Sequence, residues 1–352
     1  MLFRRSQIPE TESALLQRAA NWGEHRTLEA LDSETLWRIT SQYGVDFATA
    51  LLFDRFQISP QHKEFIGRID ALRKSVLPPR EKIPAKVIIV PGALYLERPD
   101  MGGDGKIVRR AAESLGYETD LIPVASFGSV TKNASLIRAW FKEHSKDKVI
   151  LISLSKGSSD LRTALESNES TGLFDNVLAW INVCGPLNGS RMADWVMANG
   201  VRTLFCRTKF YVQRRDFRFI TELCHDRMSP SSAAFSLQPS MRIINVIGFP
   251  LARHMTTPFS RFCHQTLAKW GPNDGTTALS DACQWPGEIY PVWGADHYFR
   301  PENVASNLIM ALFHYLAQDI SLASHTHHEL RPARRQSETV LQTTNNPSSS
   351  NL

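Results

Sequence analysis

The spacing of hydrophobic and polar residues changes character twice along the chain. In the first part, apolar residues recur every three or four positions, which is the period of amphipathic helices. Asp32 and Gly44 bracket one such stretch as a helix start and stop, and Ser59-Pro60 precede another. Prolines within 77–84 then interrupt the helical pattern, because each lacks the N–H that a helix needs. We therefore predict an N-terminal helical extension over residues 1–84 that ends in a proline-rich linker.

From residue 85 to about residue 317, short apolar runs alternate with helical patterns. Continuous apolar runs of this length are typical of parallel strands that are buried on both faces. The alternation predicts an α/β fold, a mostly parallel sheet with helices on both faces. The predicted strands are 86–90, 119–123, 149–153, 177–183, 242–247 and 288–292, and the main predicted helices are 106–115, 133–144, 158–166 and 304–316.

Two segments depart from this alternation. Residues 191–240 separate the fourth and fifth predicted strands, and we interpret them as an inserted cap. The segment is rich in aromatic residues and holds eight Arg or Lys against four Asp or Glu. Such an excess is typical of a solvated face, but it also favours contact with an anionic substrate or a membrane surface. Residues 318–352 are polar and poor in large apolar side chains, which predicts a disordered tail.

The overall composition argues against several classes of protein. Of the 352 residues, 42% are hydrophobic and 21% charged, as in globular proteins. The net charge of +5 is far from the basic footprint of a nucleic-acid-binding protein. We find neither a secretory signal nor the roughly 18 consecutive apolar residues of a membrane span. The five cysteines form no C-x-x-C pair, which predicts reduced thiols and a cytoplasmic location.

The strongest candidate for chemistry follows the third predicted strand. There Ser155 lies in the sequence Ser-Leu-Ser-Lys-Gly, directly before a helical pattern. A serine at such a strand-to-helix turn projects its hydroxyl above the edge of the sheet. Further along the chain come an Asn-Asp-Gly turn with Asp274 and a Gly-Ala-Asp-His turn with His297. Each of the three also has a purely structural interpretation: an exposed turn serine, an aspartate that stabilises its own turn, and a hydrogen-bonded loop histidine.

The order of these turns resembles the α/β-hydrolase superfamily, and their sequences are similar to the elbow, acid and histidine loops of bacterial lipases and esterases. Ser153 replaces the first glycine of the family's elbow motif G-x-S-x-G. The resemblance implies that Ser155 is the nucleophile, His297 the base and Asp274 the acid. It also implies a covalent acyl-enzyme that needs no metal and no organic cofactor.

Other acids and histidines compete for these roles. Asp281 and Asp296 are rivals for the acid, although Asp296 is adjacent to His297 and Asp281 lies in a less turn-like segment. His314 falls within the apolar periodicity of the last helix, and the histidines at 325, 327 and 328 lie in the polar tail. We therefore favour Asp274 and His297.

The resemblance also implies an oxyanion hole and an acyl pocket. Family members donate one backbone N–H from the residue after the nucleophile, here Lys156, and one from the loop after the first core strand, here Ala93. Leu94 in that loop, with Trp195 and Phe205 in the cap, is expected to line an apolar pocket for the acyl group.

We therefore expect a serine hydrolase that cleaves an ester or thioester of a small-molecule acyl substrate. Two alternatives stay open: an acyltransferase with the same triad, and a non-catalytic protein of this fold that binds a ligand or partner. Ser153 and Pro91, which replace family residues, favour the latter. The sequence lacks residues that are required for a phosphate loop, for a dinucleotide-binding site and for the active site of S-x-x-K enzymes. The sequence does not indicate an oligomeric state.

Overall fold

A computed structural model describes residues 11–75, 82–144, 146–228, 241–280, 282, 285–299 and 302–329. At its centre lies a six-stranded sheet in which every pairing is parallel, with the order β2-β1-β3-β4-β5-β6. The strands are β1 Lys86–Val90, β2 Thr119–Leu121, β3 Val149–Leu154, β4 Val177–Val183, β5 Arg242–Phe249 and β6 Glu288–Trp293. The predicted fold class is confirmed, and the six strands lie where the apolar runs predicted them.

Helices cover both faces of this sheet. They are α1 Glu12–Ala20, α2 Ser33–Tyr43, α3 Val45–Ile58, α4 Lys63–Lys74, α5 Lys106–Ser114, α6 Val130–Glu143, α7 Lys156–Leu165, α8 Arg191–Met197, α9 Gly200–Val212, α10 Arg218–Thr221, α11 His225–Met228, α12 Pro258–Leu267 and α13 Glu302–Glu329. One core cluster joins the sheet to α1–α3, α6 and α7, and a second joins it to α4, α5 and α13. Both faces of β1 and of β3 to β6 are therefore largely buried, which explains why these strands read as continuous apolar runs, whereas the edge strand β2 has no buried residue.

The N-terminal extension packs on the sheet rather than forming a separate unit. Asp32 caps α2 by accepting the N–H of Thr35 at 2.8 Å, as the sequence predicts. The second predicted helix begins later than expected, at Lys63, because Ser59 closes the preceding helix α3. The buried helix α3 is covered by α1 and α2 on one side and by β5 and β6 on the other.

This extension also protects the edge of the sheet. β6 is an edge strand, and its Ile289 N–H donates to Nδ1 of His62 at 3.3 Å. Burial lowers the pKa of His62, and the nearby Glu29 only partly opposes this. The ring therefore stays neutral and keeps an acceptor nitrogen for the strand.

Other contacts tie the extension to the loops at the carboxyl ends of the strands. Glu12 accepts from Nε2 of His254 at 2.8 Å and from the indole of Trp293 at 3.0 Å. Asp46 accepts the N–H of Ala252 at 2.9 Å. The added helices thus support the loops that follow β5 and β6.

The predicted tail is partly wrong. Helix α13 continues to Glu329, so residues 318–329 are helical, while residues 330–352 lie outside the described part of the chain. Extending a helix that has already nucleated costs little, because each added residue gains a backbone hydrogen bond. Among the described residues, no helix combines the length and apolar character that crossing a bilayer requires.

Candidate active site

The turn after β3 is a tight elbow. Ser155 has φ of +48° and ψ of −127°, a conformation that residues with a side chain rarely adopt, and α7 begins at the next residue. Gly157 is needed here, because an added Cβ would lie 2.5 Å from the carbonyl oxygens of both Val90 and Pro91. The elbow therefore presses directly against the loop that follows β1.

Ser153, which departs from the family's glycine, has a local role. The side chain is fully buried, and its Oγ accepts the indole N–H of Trp180 at 2.7 Å. The same oxygen lies 2.7 Å from Oγ of Ser158. The replacement therefore supplies an acceptor for the buried indole N–H of Trp180.

The structure brings Ser155, His297 and Asp274 together in one hydrogen-bonded line. Oγ of Ser155 is 2.9 Å from Nε2 of His297, and Nδ1 of His297 is 2.8 Å from Oδ2 of Asp274. The other carboxylate oxygen, Oδ1, accepts the N–H groups of Thr276 and Thr277 at 2.9 and 2.6 Å. The N–H of His297 also donates to the carbonyl oxygen of Asp274 at 2.8 Å, which joins the two loops.

The charge around His297 favours its protonated form. Burial lowers the pKa of His297, but the negative charge of Asp274 and the hydrogen bond to it act in the opposite direction. The charge of Asp296 adds to their effect, so the pKa of His297 lies above its ordinary value. A proton arriving on this ring is thereby stabilised.

The rival residues lie elsewhere or outside the described part of the chain. Asp296 accepts from Oγ1 of Thr256 at 2.6 Å and from the N–H of Tyr298 at 3.0 Å, rather than from His297. Asp281 lies outside the described residues. His314 and the histidines at 325, 327 and 328 all belong to helix α13, and His314 is not among the residues that line the cavity beside Ser155.

The loop after β1 closely approaches the elbow. An added Cβ on Gly92 would lie 3.3 Å from Cβ of Ser155, and the N–H of Gly92 donates to the carbonyl of Gly103 at 2.9 Å. The glycine-rich stretch 102–107, whose sequence resembles a phosphate loop but lacks residues that such a loop requires, therefore supports the loop after β1. Ala93 and Lys156 both line the cavity beside Ser155, and among the described residues their backbone N–H groups have no hydrogen-bond acceptor.

A buried ion pair, which the sequence analysis missed, lies on the first turn of α7. Nζ of Lys156 is 2.5 Å from Oδ1 of Asp160, and the two side chains are only 4% and 2% exposed. Asp160 also accepts from Nδ2 of Asn133 at 2.8 Å, and Asn133 bonds to both backbone groups of Ala125. Burial raises the pKa of Asp160, an effect that Lys156 opposes. The Lys/Asp spacing of four residues was the one signal in the sequence.

An apolar cavity of about 470 Å³ opens beside Ser155 and His297. Leu94 and Trp195 line it, as predicted, and so do Phe219, Phe259 and Phe262. Phe219 lies on α10, and the last two lie on α12, outside the segment that the sequence indicated. The cap and α12 therefore build the walls of the cavity together.

The prediction for Phe205 is wrong. This side chain is 69% exposed on α9, whereas the next residue, Cys206, lines the cavity. Aromatic residues occur on more than one side of α9, and each residue along a helix turns by about 100°. The composition of the cap therefore indicated an aromatic wall without indicating which face of the helix forms it.

Three side chains of metal-ligating type lie close together. The ligand atoms of Cys184, Asp274 and His297 all lie within 4.8 Å of one another. Asp274 and His297 are already joined by a hydrogen bond, and burial raises the pKa of the Cys184 thiol well above its usual range. Burial thus favours the protonated thiol, whereas a cysteine that ligates a metal is deprotonated.

The chain has the α/β-hydrolase fold. Its structure is similar to that of the metagenomic carboxyl esterase MGS0156, with 19% identity over 70% of this chain and 79% of that one and a TM-score of 0.55. It is also similar to the mature lipase BlEst2 from Bacillus licheniformis, with 20% identity over 68% of this chain and 94% of that one and a TM-score of 0.52. No family model and no curated protein matches the chain.

Proposed function

We propose that this protein, which has the α/β-hydrolase fold, is a serine hydrolase that cleaves a carboxylic ester or thioester with an apolar acyl group. The observation that carries the proposal is the line from Ser155 Oγ through His297 to Asp274, with donor–acceptor distances of 2.9 and 2.8 Å. A serine that only stabilises a turn does not need a hydrogen bond to a histidine that is in turn hydrogen-bonded to a buried carboxylate. This order of groups is that of an activated nucleophile, its base and the group that orients the base.

The mechanism follows from the positions of these groups. Nε2 of His297 removes the proton of Ser155 as Oγ attacks the acyl carbonyl carbon, and Asp274 stabilises the imidazolium. The carbonyl oxygen becomes an oxyanion, to which the N–H groups of Lys156 and Ala93 donate. His297 then gives its proton to the leaving alcohol or thiol, which leaves an acyl group on Ser155. Water, activated by the same histidine, releases the acid and restores the serine.

The cavity supports an apolar acyl group. Its volume of about 470 Å³ and its aromatic walls, which include Trp195 and Phe219, are suited to a small apolar ligand. The excess of Arg and Lys over Asp and Glu in the cap additionally favours an anionic leaving group or an anionic membrane surface. Such attraction between exposed charges weakens as the salt concentration rises, so a salt titration of kcat/KM measures its contribution.

A cytoplasmic location remains our proposal for this enzyme. Cys184, Cys206, Cys224 and Cys263 are free thiols. Unpaired thiols are typical of proteins from reducing compartments.

Covalent labelling with a fluorophosphonate tests the proposal. We expect the wild-type protein and Ser135→Ala, which changes an exposed serine on α6, to react, and Ser155→Ala to remain unlabelled. Ser155→Ala should also lower kcat for nitrophenyl esters by at least about 10³-fold, because only binding and oxyanion stabilisation remain. Label that persists in Ser155→Ala would overturn the assignment of the nucleophile.

Two further outcomes separate the alternatives. A folded wild-type protein that neither labels nor cleaves esters of graded chain length would be better described as a ligand-binding protein of this fold. Labelling at Ser155 together with product formation only in the presence of an added alcohol or thiol would identify an acyltransferase.

A further inference from the structure

The outward side of helix α9 in the cap is apolar. No residue of α9 is buried, and five of its large apolar side chains are 67% to 83% exposed: Val201, Leu204, Phe205, Tyr211 and Val212. These positions recur at intervals that place them along one side of the helix, which we call the apolar stripe. Among the described residues, no other helix exposes as many large apolar side chains. A contiguous apolar surface of this kind marks a site of interaction.

Basic residues lie along both sides of the apolar stripe. Successive residues of a helix are about 100° apart, which places Arg207 on one side of the stripe and Lys209 on the other. Both side chains are exposed, and the sequence of α9 contains no acidic residue. The outward surface of α9 therefore combines apolar contact area with positive charge.

The rest of α9 holds the helix on the protein. The guanidinium carbon of Arg202 lies 4.0 Å from the centre of the Trp195 ring. The ring of Phe210 packs against that of Phe219, with their centres 5.8 Å apart, and Cys206 lines the cavity. These contacts come from outside the apolar stripe, so the stripe is free to bind a partner without any change in the cap.

The mouth of the cavity is joined to this helix through one aromatic side chain. Phe259 and Phe262 of α12 line the cavity and are also exposed. The ring centre of Phe262 lies 5.6 Å from that of Trp195, on which Arg202 of α9 is stacked. Exposed apolar groups therefore occur both on α9 and at the mouth of the cavity.

We propose that the apolar stripe of α9, with Arg207 and Lys209, binds the surface of an anionic membrane. A helix of this composition lies in the plane of the interface, with its apolar side among the acyl chains and its basic side chains near the lipid phosphates. Membrane leaflets that face the cytoplasm are rich in anionic lipids and attract Lys and Arg. A second copy of the chain is a poorer match, because a symmetric contact would bring the basic residues of the two copies together.

Binding in this orientation has a consequence for the substrate, which rests on the function proposed above. The mouth of the cavity, beside Phe259 and Phe262, would lie close to the lipid. An ester with a long acyl chain could then enter the cavity from the membrane without crossing water. Membrane binding itself does not depend on the proposed reaction, so Ser155→Ala should bind vesicles as well as the wild type does.

Cosedimentation of the full-length protein with vesicles tests the proposal, in about 0.1 M salt so that distant charges are screened. The vesicles contain either phosphatidylcholine alone or equal parts of phosphatidylcholine and phosphatidylserine. The wild type should bind the anionic vesicles at least about 10-fold more tightly. Replacing Arg207 and Lys209 together by Gln should weaken that binding by about 30-fold, because both charges lie near the lipid. Replacing Lys63 and Lys142, which are exposed on α4 and α6, changes the net charge equally and should alter binding by less than about twofold.

The apolar arm of the experiment replaces Leu204 and Phe205 together by Gln. Binding to the anionic vesicles should weaken by about 10-fold or more, because apolar area no longer enters the interface. The matched control replaces Trp37 and Ile58, which are exposed on α2 and α3, and should leave binding unchanged. All four side chains are at least half exposed, so the variants should fold, which circular dichroism checks.

Equal binding of the wild type to neutral and anionic vesicles would overturn the proposal, as would α9 variants that bind as tightly as their controls. A wild type that binds no vesicles but self-associates in ultracentrifugation, with the association lost when Leu204 and Phe205 are replaced, would identify a second copy as the partner instead. Failure of the proposed function is distinguishable: vesicles would still be bound, but Ser155 would not react with a fluorophosphonate. Failure of this inference alone would leave a reactive Ser155 in a protein that stays in solution.

Discussion

The floor of the cavity and the cap above it are held in place in different ways. In the floor, by which we mean the start of α7 and the loop that carries Asp274, the carboxylates of Asp160 and Asp274 are both buried and each is bound by several donors. In the cap, α9 contains no buried residue, and its Val201 and Tyr211 are 78% and 83% exposed. A buried group with satisfied partners has one stable position, whereas an exposed helix moves at a low cost in free energy. The floor therefore fixes the orientation of the proposed reacting groups, whereas the cap and α12 together shape the pocket.

The largest effect should come from the acid in the floor. Asp274→Asn keeps the shape of the side chain but favours the wrong tautomer of His297, so kcat should fall by about 10⁴-fold. Asp296→Asn, which changes the neighbouring carboxylate that accepts a hydrogen bond from Thr256, should lower kcat far less. Steady-state kinetics at the pH optimum measure both effects. Equal losses in the two variants would mean that the acid is wrongly assigned.

The next largest effect concerns stability. Asp160→Ala leaves the ammonium of Lys156 buried without its partner and should lower the free energy of unfolding by about 3 to 5 kcal/mol. Replacing both residues, with Lys156→Met and Asp160→Leu, should recover much of that loss.

The matched control for this prediction is an exposed ion pair in the cap. Nη2 of Arg218 lies 2.7 Å from Oδ2 of Asp216, but the two side chains are 64% and 35% exposed. Arg218→Ala should therefore leave the free energy of unfolding unchanged within error. Urea unfolding measures all the variants. If Asp160→Ala lowered the free energy of unfolding no more than Arg218→Ala does, the floor would be no more tightly held than the cap.

The pH dependence of the reaction should report the charge in the floor. The pKa of His297 is raised by Asp274, and the base must be neutral, so kcat/KM should fall as the pH drops through a midpoint above the ordinary histidine value of about 6.5. The fall should be about tenfold per pH unit below the midpoint. In Asp274→Asn the attraction is lost, and the midpoint should move to lower pH. A wild-type midpoint at or below about 6.5 would contradict this account of the charges.

The smallest effects should come from the cap. Phe219 lines the cavity, so Phe219→Ala should raise KM for an apolar ester by about tenfold, because apolar contact area is lost, with little change in kcat. Phe205→Ala changes an exposed aromatic residue of the same segment, and its KM should stay within about twofold of the wild type. A larger effect at Phe205 than at Phe219 would mean that α9 turns its other face to the substrate.

The same contrast explains which parts of the structure could be predicted from the sequence. Strands that are buried on both faces must be apolar throughout, so the sheet was predictable, and the turns that follow its strands indicated Ser155, Asp274 and His297. The partners of Lys156 were not predictable, since a Lys/Asp pair on a helix usually lies in solvent. Phe205 was misplaced because the pattern did not settle the rotation of α9.

The bond between His62 and Ile289 has a consequence for the solution behaviour of shortened chains. An open strand edge is a template on which a second molecule can add its own strand, which is a common route to aggregation. Deleting the N-terminal helices would remove the neutral imidazole from that edge and also uncover apolar residues of β5 such as Phe249, which contacts Phe53 and Phe56. We expect such truncated proteins to polymerise through β6. A loss of activity on truncation would then measure insolubility rather than a part played by those helices in the reaction.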